Sequence, residues 1–450
     1  MSDIIDELSW RGLIAVSTDL DDLRKALDAG PVTLYCGFDP TAPGLHIGNL
    51  VQLLTVRRFQ LAGHRPIGLV GGATGLIGDP SGKSAERSLN PREQVAGWVQ
   101  RIRAEVSRFL DFTPGPTGAL IVSNLDWTQE LSALDFLRDI GKHFPISQML
   151  SREAVRARLE AGGISYTEFS YQILQANDFL ELRRRYDCLL QIGGSDQWGN
   201  LVSGTDLIRR VTGDTAHALA TPLITRPDGT KYGKTEGGAV WISPELMSPY
   251  AFYQFWLNRA DAEVPSLLRV FTFRSRDEIA ALDRQTQENP AARAGQRALA
   301  ADLTALVHGD DQLAIVQAAS RALFGQGDLR VLDEATLRSA LAEVPRAELS
   351  RAELSRARLA RPGNSSARLR DAAAEAPPGS LPAVADLLAA TGIAASKSAA
   401  RRAIAQGGAY LNNAKVTDPD AAPGEGDLLH GRFLVVRSGK RTVGGVEVLD

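Results

Sequence analysis

Two stretches of the chain hold residue types that can handle a polyphosphate. The first is His46-Ile47-Gly48-Asn49, which follows the strand-like run TLYCGF (33–38) and opens a helix expected over 49–62. The NH2 of Asn49 can donate the same kind of neutral hydrogen bond as a histidine ring N–H, and asparagine at a helix start can equally serve as a cap. The second is KYGKT (231–235), which follows the turn TRPDG and sets Lys231 and Lys234 three residues apart around a glycine. Two compact cations in one loop can meet a polyphosphate and stabilise negative charge that grows during reaction, although lysines are most often ordinary solvated surface groups.

Two further stretches could read hydroxyls and amines. QIGGSDQWGN (191–200) places Gln191, Asp196 and Gln197 just past a strand end. YQILQANDF (171–179) spaces Tyr171, Gln175 and Asp178 at i, i+4 and i+7, so the three share one helix face amid Ile173, Leu174 and Phe179. Facing a sheet they line a polar pocket; facing water they are a wet stripe. GDPSGKS (78–84) has three residues between Gly78 and Gly82, one fewer than a P-loop needs, and Gly71-Gly72-Ala73-Thr74-Gly75 misses the G-x-G-x-x-G dinucleotide pattern. A tight turn after a strand explains both.

The elements that must carry these residues alternate. TLYCGF (33–38), PIGLVGG (66–72), GALIVSN (118–124) and CLLQIGG (188–194) read as short strands ending in Gly or polar residues. Between the first two lies the helix, with Leu50, Leu53, Leu54 and Leu61 on one face and Gly63 as its stop. This is a βαβ unit, whose crossover is right-handed, and ligands of such parallel sheets bind beyond the carboxyl ends of the strands. The fold class expected is α/β, a Rossmann-like parallel-sheet domain over 1–240, followed by an α-helical domain over 241–345 and a small α+β module over 381–450. Between the last two, RAELSRAELSRARLARPGNSS opens a stretch (346–380) whose five-residue repeat scatters Leu349, Leu354 and Leu359 over different helix faces, which reads as a solvated linker. In the final module Ser396 is an N-cap candidate, and Lys397, Arg401 and Arg402 lie near one face of the helix that follows.

Composition sets the limits. A chain of 450 residues is long for one core. The net charge of −3 argues against an overall basic coat but leaves room for local RNA-binding patches. Two cysteines, Cys36 and Cys188, rule out a disulfide framework and a cysteine-based zinc site, and no other metal-ligand cluster is expected. The N-terminus lacks a basic start with an apolar run, and no window approaches the roughly eighteen apolar residues of a membrane span. A cytoplasmic enzyme with no membrane partner is expected.

Taken together, a strand, then His-Ile-Gly-Asn opening a helix, and about 180 residues later Lys-x-Gly-Lys-Thr, resemble the class I aminoacyl-tRNA synthetases with their HIGH and KMSKS signatures. YCGFDPTAPGLHIGNL, LVGGATGLIGDPSGKSAER, QIGGSDQWGN, KYGKT and SPYAFYQFW are similar to the bacterial tyrosine-specific branch nearly residue for residue. SKSAARRAIAQGGAYLN resembles the S4 RNA-binding domain that ends those enzymes. Asn49 stands where the usual signature has histidine.

The resemblance implies activation of L-tyrosine by ATP, with accompanying Mg2+, to tyrosyl-adenylate and pyrophosphate, then transfer to the 3′-terminal adenosine of tRNA(Tyr), by a homodimer. On matching positions it implies catalytic roles for His46, Asn49, Lys83, Arg87, Lys231, Lys234 and Thr235. ATP would meet Cys36, Gly37, Asp39, Thr41, His46, Gly48, Asn49, Gly193, Asp196 and Lys234. Tyrosine would meet Tyr35 and Asp178 at the phenol, and Asp79, Tyr171 and Gln175 at the amino group, with Asn124, Gln191 and Gln197 nearby. Lys397, Arg401 and Arg402 would contact RNA. Two rivals are an RNA-binding scaffold on a synthetase fold that has lost catalysis, and a tryptophan-specific relative; Lys231, Lys234, Asp79 and Asp178 count against the first, and Tyr35 with Asp178 against the second.

Overall fold

Alternation of short apolar runs with helices produces one six-stranded sheet and, further along, a second of five strands. The computed structural model describes residues 3–80, 90–225, 232, 234–235, 238–350 and 381–449, and the side chains of 153, 154, 161, 234, 235 and 238 lie outside that description. The first sheet contains β1 (Val16–Ser17), β2 (Thr33–Phe38), β3 (Arg65–Val70), β4 (Leu120–Ser123), β5 (Cys188–Gly194) and β6 (His217–Thr221), in the order β1-β6-β5-β2-β3-β4. All neighbours are parallel except β1 on β6. The chain leaves β2 toward β3 and β4 and later returns to place β5 on the other side, so the order reverses between β2 and β5. That switch point is where an open α/β sheet presents its ligand crevice. Four of these strands coincide with the runs named above; β1 is too short for a pattern and β6, HALAT, has no alternation.

Register decides which side chains meet. Tyr35 pairs with Gln191 across β2 and β5, so both leave the same face of the sheet, while Cys36 and Ile192 leave the other. The first face is covered by the helix Tyr166–Tyr186, which starts at the Ser165 cap and stops where Asp187 turns left-handed at φ 53°. Tyr35, Ile67, Leu69, Trp127, Ile173, Phe179 and Leu180 share this core.

The signature helix runs Ile47–Leu61, two residues earlier than expected because His46 caps it. Leu50, Leu53 and Leu54 are buried, each adding about 1.5–3 kcal/mol. Leu61 is instead 63% exposed, since the helix end emerges from the fold. Near that end the guanidinium of Arg58 is buried and donates to the carbonyls of Val270 and Thr272, and Arg11 donates to those of Arg269, Thr272 and Arg274. These two arginines tie the helix Val264–Phe271 to the first sheet's layer. After β6, a two-stranded hairpin joins β7 (Lys234–Thr235) to β8 (Gly238–Ala239).

Two compact units result, one of 1–247 with 258–299 and one of 248–257 with 300–450. This division returns 258–299 to the first unit and places no border at 345. Helices Val264–Phe271 and Arg276–Glu288 go with the first unit through the arginine ties and their mutual packing, whereas Pro249–Leu257 packs against Asp310–Leu323 and Glu334–Ala342 in the second.

The linker expected from 346 needs correction at its start. Residues Arg346–Ser350 form β9, which runs parallel to β13 (Thr442–Leu449) at the edge of the second sheet. That sheet adds β10 (Ala409–Leu411), β11 (Ala414–Lys415) and β12 (Phe433–Ser438) in the order β11-β10-β12-β13-β9. Ala347 and Leu349 alternate inward, and Leu349 enters the core with Val384, Leu388, Ile404 and Val446. The helical-wheel reading of the repeat missed this because a strand of period two, not a helix, takes up its first copy. Residues 351–380 lie outside the described residues. Ser396 caps the helix Lys397–Ala405 as expected, accepting from the N–H of Ala399 at 3.2 Å.

Candidate active site

The crevice at the ends of β2 and β5 is a cavity of about 520 Å³. Most of the site residues named from sequence line it: Tyr35, Cys36, Gly37, Asp39, Thr41, His46, Gly48 and Asn49 from β2 and the signature; Asp79; Tyr171, Gln175 and Asp178 from one helix face; and Gln191, Gly193, Asp196 and Gln197 from β5 and its exit. Lys83, Arg87 and Lys231 lie outside the described residues, as do the side chains of Lys234 and Thr235, whose backbone forms β7.

At the signature, His46 sits at the N-cap with an extended backbone, and its Nδ1 accepts the N–H of Gly48 at 3.1 Å. Asn49 returns the contact: its Oδ1 accepts the backbone N–H of His46 at 3.1 Å, closing a capping box. A side chain on Gly48 would come within 2.8 Å of the His46 ring, so glycine is required there. The amide oxygen of Asn49 is committed, which leaves its NH2 as the donor available to a ligand.

Sequence separates this stretch from residues 240–242, but backbone pairing brings them together. Ile47 donates to the carbonyl of Val240 and Ile242 to that of Leu45, each at 3.0 Å, with His46 opposite Trp241. The segment 240–242 that follows the β7–β8 hairpin is thus bonded directly to the signature.

The other end of the cavity is lined by buried polar groups. Asp178 is 2% exposed; its Oδ1 accepts the indole N–H of Trp127 at 2.8 Å and its Oδ2 the Nδ2–H of Asn124 at 2.9 Å. Burial pushes its carboxyl up to about 7, against the lowering effect of those two bonds. Tyr35 packs against Phe179 with ring centroids 5.2 Å apart, and its hydroxyl has no hydrogen-bond partner among the described residues. The Oε1 atoms of Gln175 and Gln191 are likewise buried without a partner among those residues. Each such group costs about 1–3 kcal/mol when left unpaired, so a polar ligand that satisfies them is bound selectively.

Between the two ends runs a hydrogen-bonded chain. Asn124 bonds both Asp178 and the Thr74 hydroxyl, the latter at 2.9 Å; Thr74 donates to Oδ1 of Asp39 at 2.6 Å; and the Tyr171 hydroxyl donates to its Oδ2 at 2.6 Å. Gln197 donates to Asp79 at 2.6 Å and accepts from Asn200 at 3.0 Å. Asn124 is wholly buried, bonded to Asp178 and not itself among the residues lining the cavity. Gly71 is enforced by this network, since a Cβ there would collide with the Asp39 carboxylate and the Thr74 hydroxyl.

Sequence reasoning missed Trp127 and Thr74. The signal for Trp127 was its i+3 spacing from Asn124 at the end of β4, which puts both on one turn. Thr74 was hidden in a glycine run read as a turn. In the second unit, two of the three RNA-contact candidates already hold acids: Lys397 pairs with Asp386 at 2.8 Å, and Arg401 makes two bonds to Asp420, at 2.6 and 3.0 Å. Arg402 is exposed. Among the described residues no helix is long and apolar enough to cross a membrane.

The family described as tRNA synthetases class I (W and Y) matches residues 27–325, and the tyrosine–tRNA ligase SYY-like C-terminal domain matches 373–443. The tyrosine–tRNA ligase of Streptomyces avermitilis is 60% identical over 450 residues, covering 100% of this chain and 99% of its own length. That of Thermobifida fusca is 58% identical over 455 residues, covering 99% of each. Among solved structures, a C-terminally truncated Aspergillus nidulans mitochondrial tyrosyl-tRNA synthetase aligns with a TM-score of 0.66 at 26% identity, over 72% of this chain and 94% of that one. A parallel sheet with a His-x-Gly-x helix at its switch point, together with these matches, defines a class I aminoacyl-tRNA synthetase. Within that class the chain belongs to the tyrosine–tRNA ligase family. It is an enzyme that joins tyrosine to tRNA with ATP as substrate, and full-length identity at this level favours the ligase over the scaffold that has lost catalysis.

Proposed function

We propose that the cavity divides into a tyrosine end and an ATP end, each served by the residues above. The tyrosine phenol lies between Tyr35 and Asp178, donating to the carboxylate. Its ammonium meets Asp79, Tyr171 and Gln175, with Gln191 and Gln197 completing the polar wall. The observation that supports this best is the pairing of a Tyr35 hydroxyl, partnerless among the described residues, with an Asp178 carboxylate held by Asn124 and Trp127, both facing one cavity. Phenylalanine would leave the Tyr35 hydroxyl unpaired and offer no donor to the Asp178 carboxylate, and rejection on that ground is an effect already known for tyrosine-specific synthetases as a class.

ATP enters at the signature, with Thr41, His46 and Asn49 toward the phosphates and Cys36, Gly37, Asp39, Gly48, Gly193 and Asp196 around the ribose region. The tyrosine carboxylate, ionised at neutral pH, attacks the α-phosphate and pyrophosphate leaves, so no general base is needed. The requirement is positioning and stabilisation of developing charge, supplied by His46, Asn49, Lys83, Arg87, Lys231, Lys234 and Thr235. Mg2+ travels with the ATP phosphates as part of the substrate. The tyrosyl group then passes to the 3′-terminal adenosine of tRNA(Tyr), whose phosphates meet the helix bearing Lys397, Arg401 and Arg402.

A homodimer in the cytoplasm belongs to the same reading. Leu134, Leu137, Ile146, Leu150, Leu159 and Tyr166 are exposed within one stretch of the first unit and supply apolar side chains for a partner to cover. Sedimentation of a Leu137→Asp, Tyr166→Asp variant should give a monomer. ATP–pyrophosphate exchange across all twenty amino acids tests the central claim: tyrosine alone should support fast exchange, and its failure to do so would overturn the assignment of the cavity.

A further inference from the structure

The helix Arg92–Ser107 grips the segment before the signature through two side chains outside the cavity: Arg101 donates to the carbonyl of Pro43 at 2.8 Å, and Glu105 lies one turn further on. Glu105 is 5% exposed, and its Oε2 accepts the backbone N–H of Leu45 at 2.7 Å. Its Oε1 has no hydrogen-bond partner among the described residues and lies against Gly44, where a Cβ would approach to 2.9 Å. The carbonyl of Leu45 accepts from Ile242, and the N–H of Ile47 donates to Val240. Residues 45–47 are therefore held by 240–242, by the first turn of their own helix and by Glu105, which grips the Leu45 N–H through its side chain from a separate helix.

A carboxylate is an expensive way to satisfy one buried N–H. Burial raises its pKa, Glu245 adds to the rise, and only the Leu45 bond and the positive charges of Arg101 and Arg108 oppose it. A neutral acceptor would be cheaper to bury, whereas an ionised one makes the stronger and more directional bond. Its consequence falls one residue later. Once Leu45 is fixed, His46 enters the helix with ψ 175°, its Nδ1 is taken by Gly48, and Asn49 is locked by the reciprocal bond, so the His46 ring and the Asn49 amide have one orientation.

We propose that Glu105 is a positioning residue for adenylate formation: by holding the Leu45 N–H it aims His46 and Asn49 at the ATP phosphates. This rests on the reading of the signature as the ATP end of the cavity. The effect is confined to that end, because among the described residues no bond links Glu105 to the groups around Asp178.

The test is pyrophosphate exchange with ATP and tyrosine varied separately, with tyrosine binding by equilibrium dialysis as the check on folding. Glu105→Ala should lower kcat/KM for ATP about tenfold or more, the size expected for losing a charged hydrogen bond, and leave tyrosine affinity within about twofold. Glu105→Gln, which keeps an acceptor, should recover most of the loss. Gly44→Ala, whose Cβ would sit 2.9 Å from both Glu105 Oε1 and Leu246 Cδ1, should reproduce the ATP-only defect and stands in if Glu105→Ala does not bind tyrosine. Unchanged ATP kinetics in the folded variants, an equal loss at both substrates, or a Gln variant no better than Ala would each overturn the proposal. His46→Ala and Asn49→Asp, measured alongside, separate the causes: if both leave ATP exchange intact, the ATP role of the signature is wrong and the proposal falls with it; if either impairs exchange while Glu105→Ala and Gly44→Ala do not, the positioning role alone falls.

Discussion

The indole N–H of Trp127 donates to Oδ1 of Asp178 at 2.8 Å, and this bond leaves the carboxylate one face for a ligand while Asn124 holds the other oxygen. Asp178 is thus a buried acceptor whose direction is set by two neighbours on the turn that follows β4. Selectivity for a phenol depends on that orientation as much as on the charge.

Asp178→Ala should therefore weaken discrimination against phenylalanine roughly 10- to 100-fold, the range for a buried charged hydrogen bond. Competitive adenylate formation with tyrosine and phenylalanine together measures the ratio, and an unchanged ratio would reject the phenol assignment.

Trp127→Phe keeps the ring packing and removes the donor. Asp178 sits at about 7, and losing one of the two bonds that lower it should move it further up. The phenol needs the ionised carboxylate as acceptor, so kcat/KM for tyrosine should fall as pH drops through 7 in the parent protein. The acid limb should begin at higher pH in the variant. Stability runs the other way: a carboxyl whose folded pKa is raised above 3.8 destabilises the fold as pH rises from about 4 through 7, so Asp178→Asn should raise the Tm more at pH 8 than at pH 5.

At position 49 the cap and the proposed ATP contact use different atoms of one amide. Asn49→Asp keeps the acceptor for the His46 N–H but replaces the NH2 with an oxygen, so thermal stability should be nearly unchanged while ATP exchange falls by about 100-fold. Asn49→His should retain substantial exchange, and Asn49→Leu should lose both cap and contact. A fully active Asp variant would assign Asn49 to capping alone.

Removal of residues 377–450 should spare tyrosine activation and cripple charging, but β9 changes what is left behind. The cut strips β13 from β9 and exposes Ala347 and Leu349, so a truncation before 346 should be the more soluble of the two. In the full chain, Leu349→Asp places an unpaired charge in the second core and should cost about 3 kcal/mol or more. Charging should drop while pyrophosphate exchange holds; equal loss of both would contradict the division of labour.

Asp420→Asn should release Arg401 from its two-bond pair in the basic helix. If that helix meets tRNA phosphates, the log–log salt slope of tRNA binding should steepen by about one charge. No change in slope would place the RNA contact elsewhere.

Much of this site is legible in the sequence. Tyr171, Gln175 and Asp178 share a helix face because period 3.6 dictates it, and Tyr35 and Gln191 belong to strands whose apolar runs are plain. What is not legible is whatever depends on the partner of a segment distant in sequence. Leu349 reads as solvated by helical spacing and is buried because β13, nearly a hundred residues later, takes Arg346–Ser350 as a neighbour. Trp127 offers only its spacing from Asn124 until Asp178 stands beside it.

By itself the sequence determined the chemistry on offer: a histidine and an amide at a helix start, paired lysines in a loop, a phenol and a carboxylate on elements with their own local periodicity. Such patterns are local, so residue type and spacing suffice to write them. Only the tertiary structure decided which of those groups face each other and how each is aimed. The pairing of residues 45–47 with 240–242, the grip of Glu105 on Leu45 and the two bonds on Asp178 are contacts between elements roughly 50 to 200 residues apart. They form because burying those elements together leaves each polar group one partner within reach.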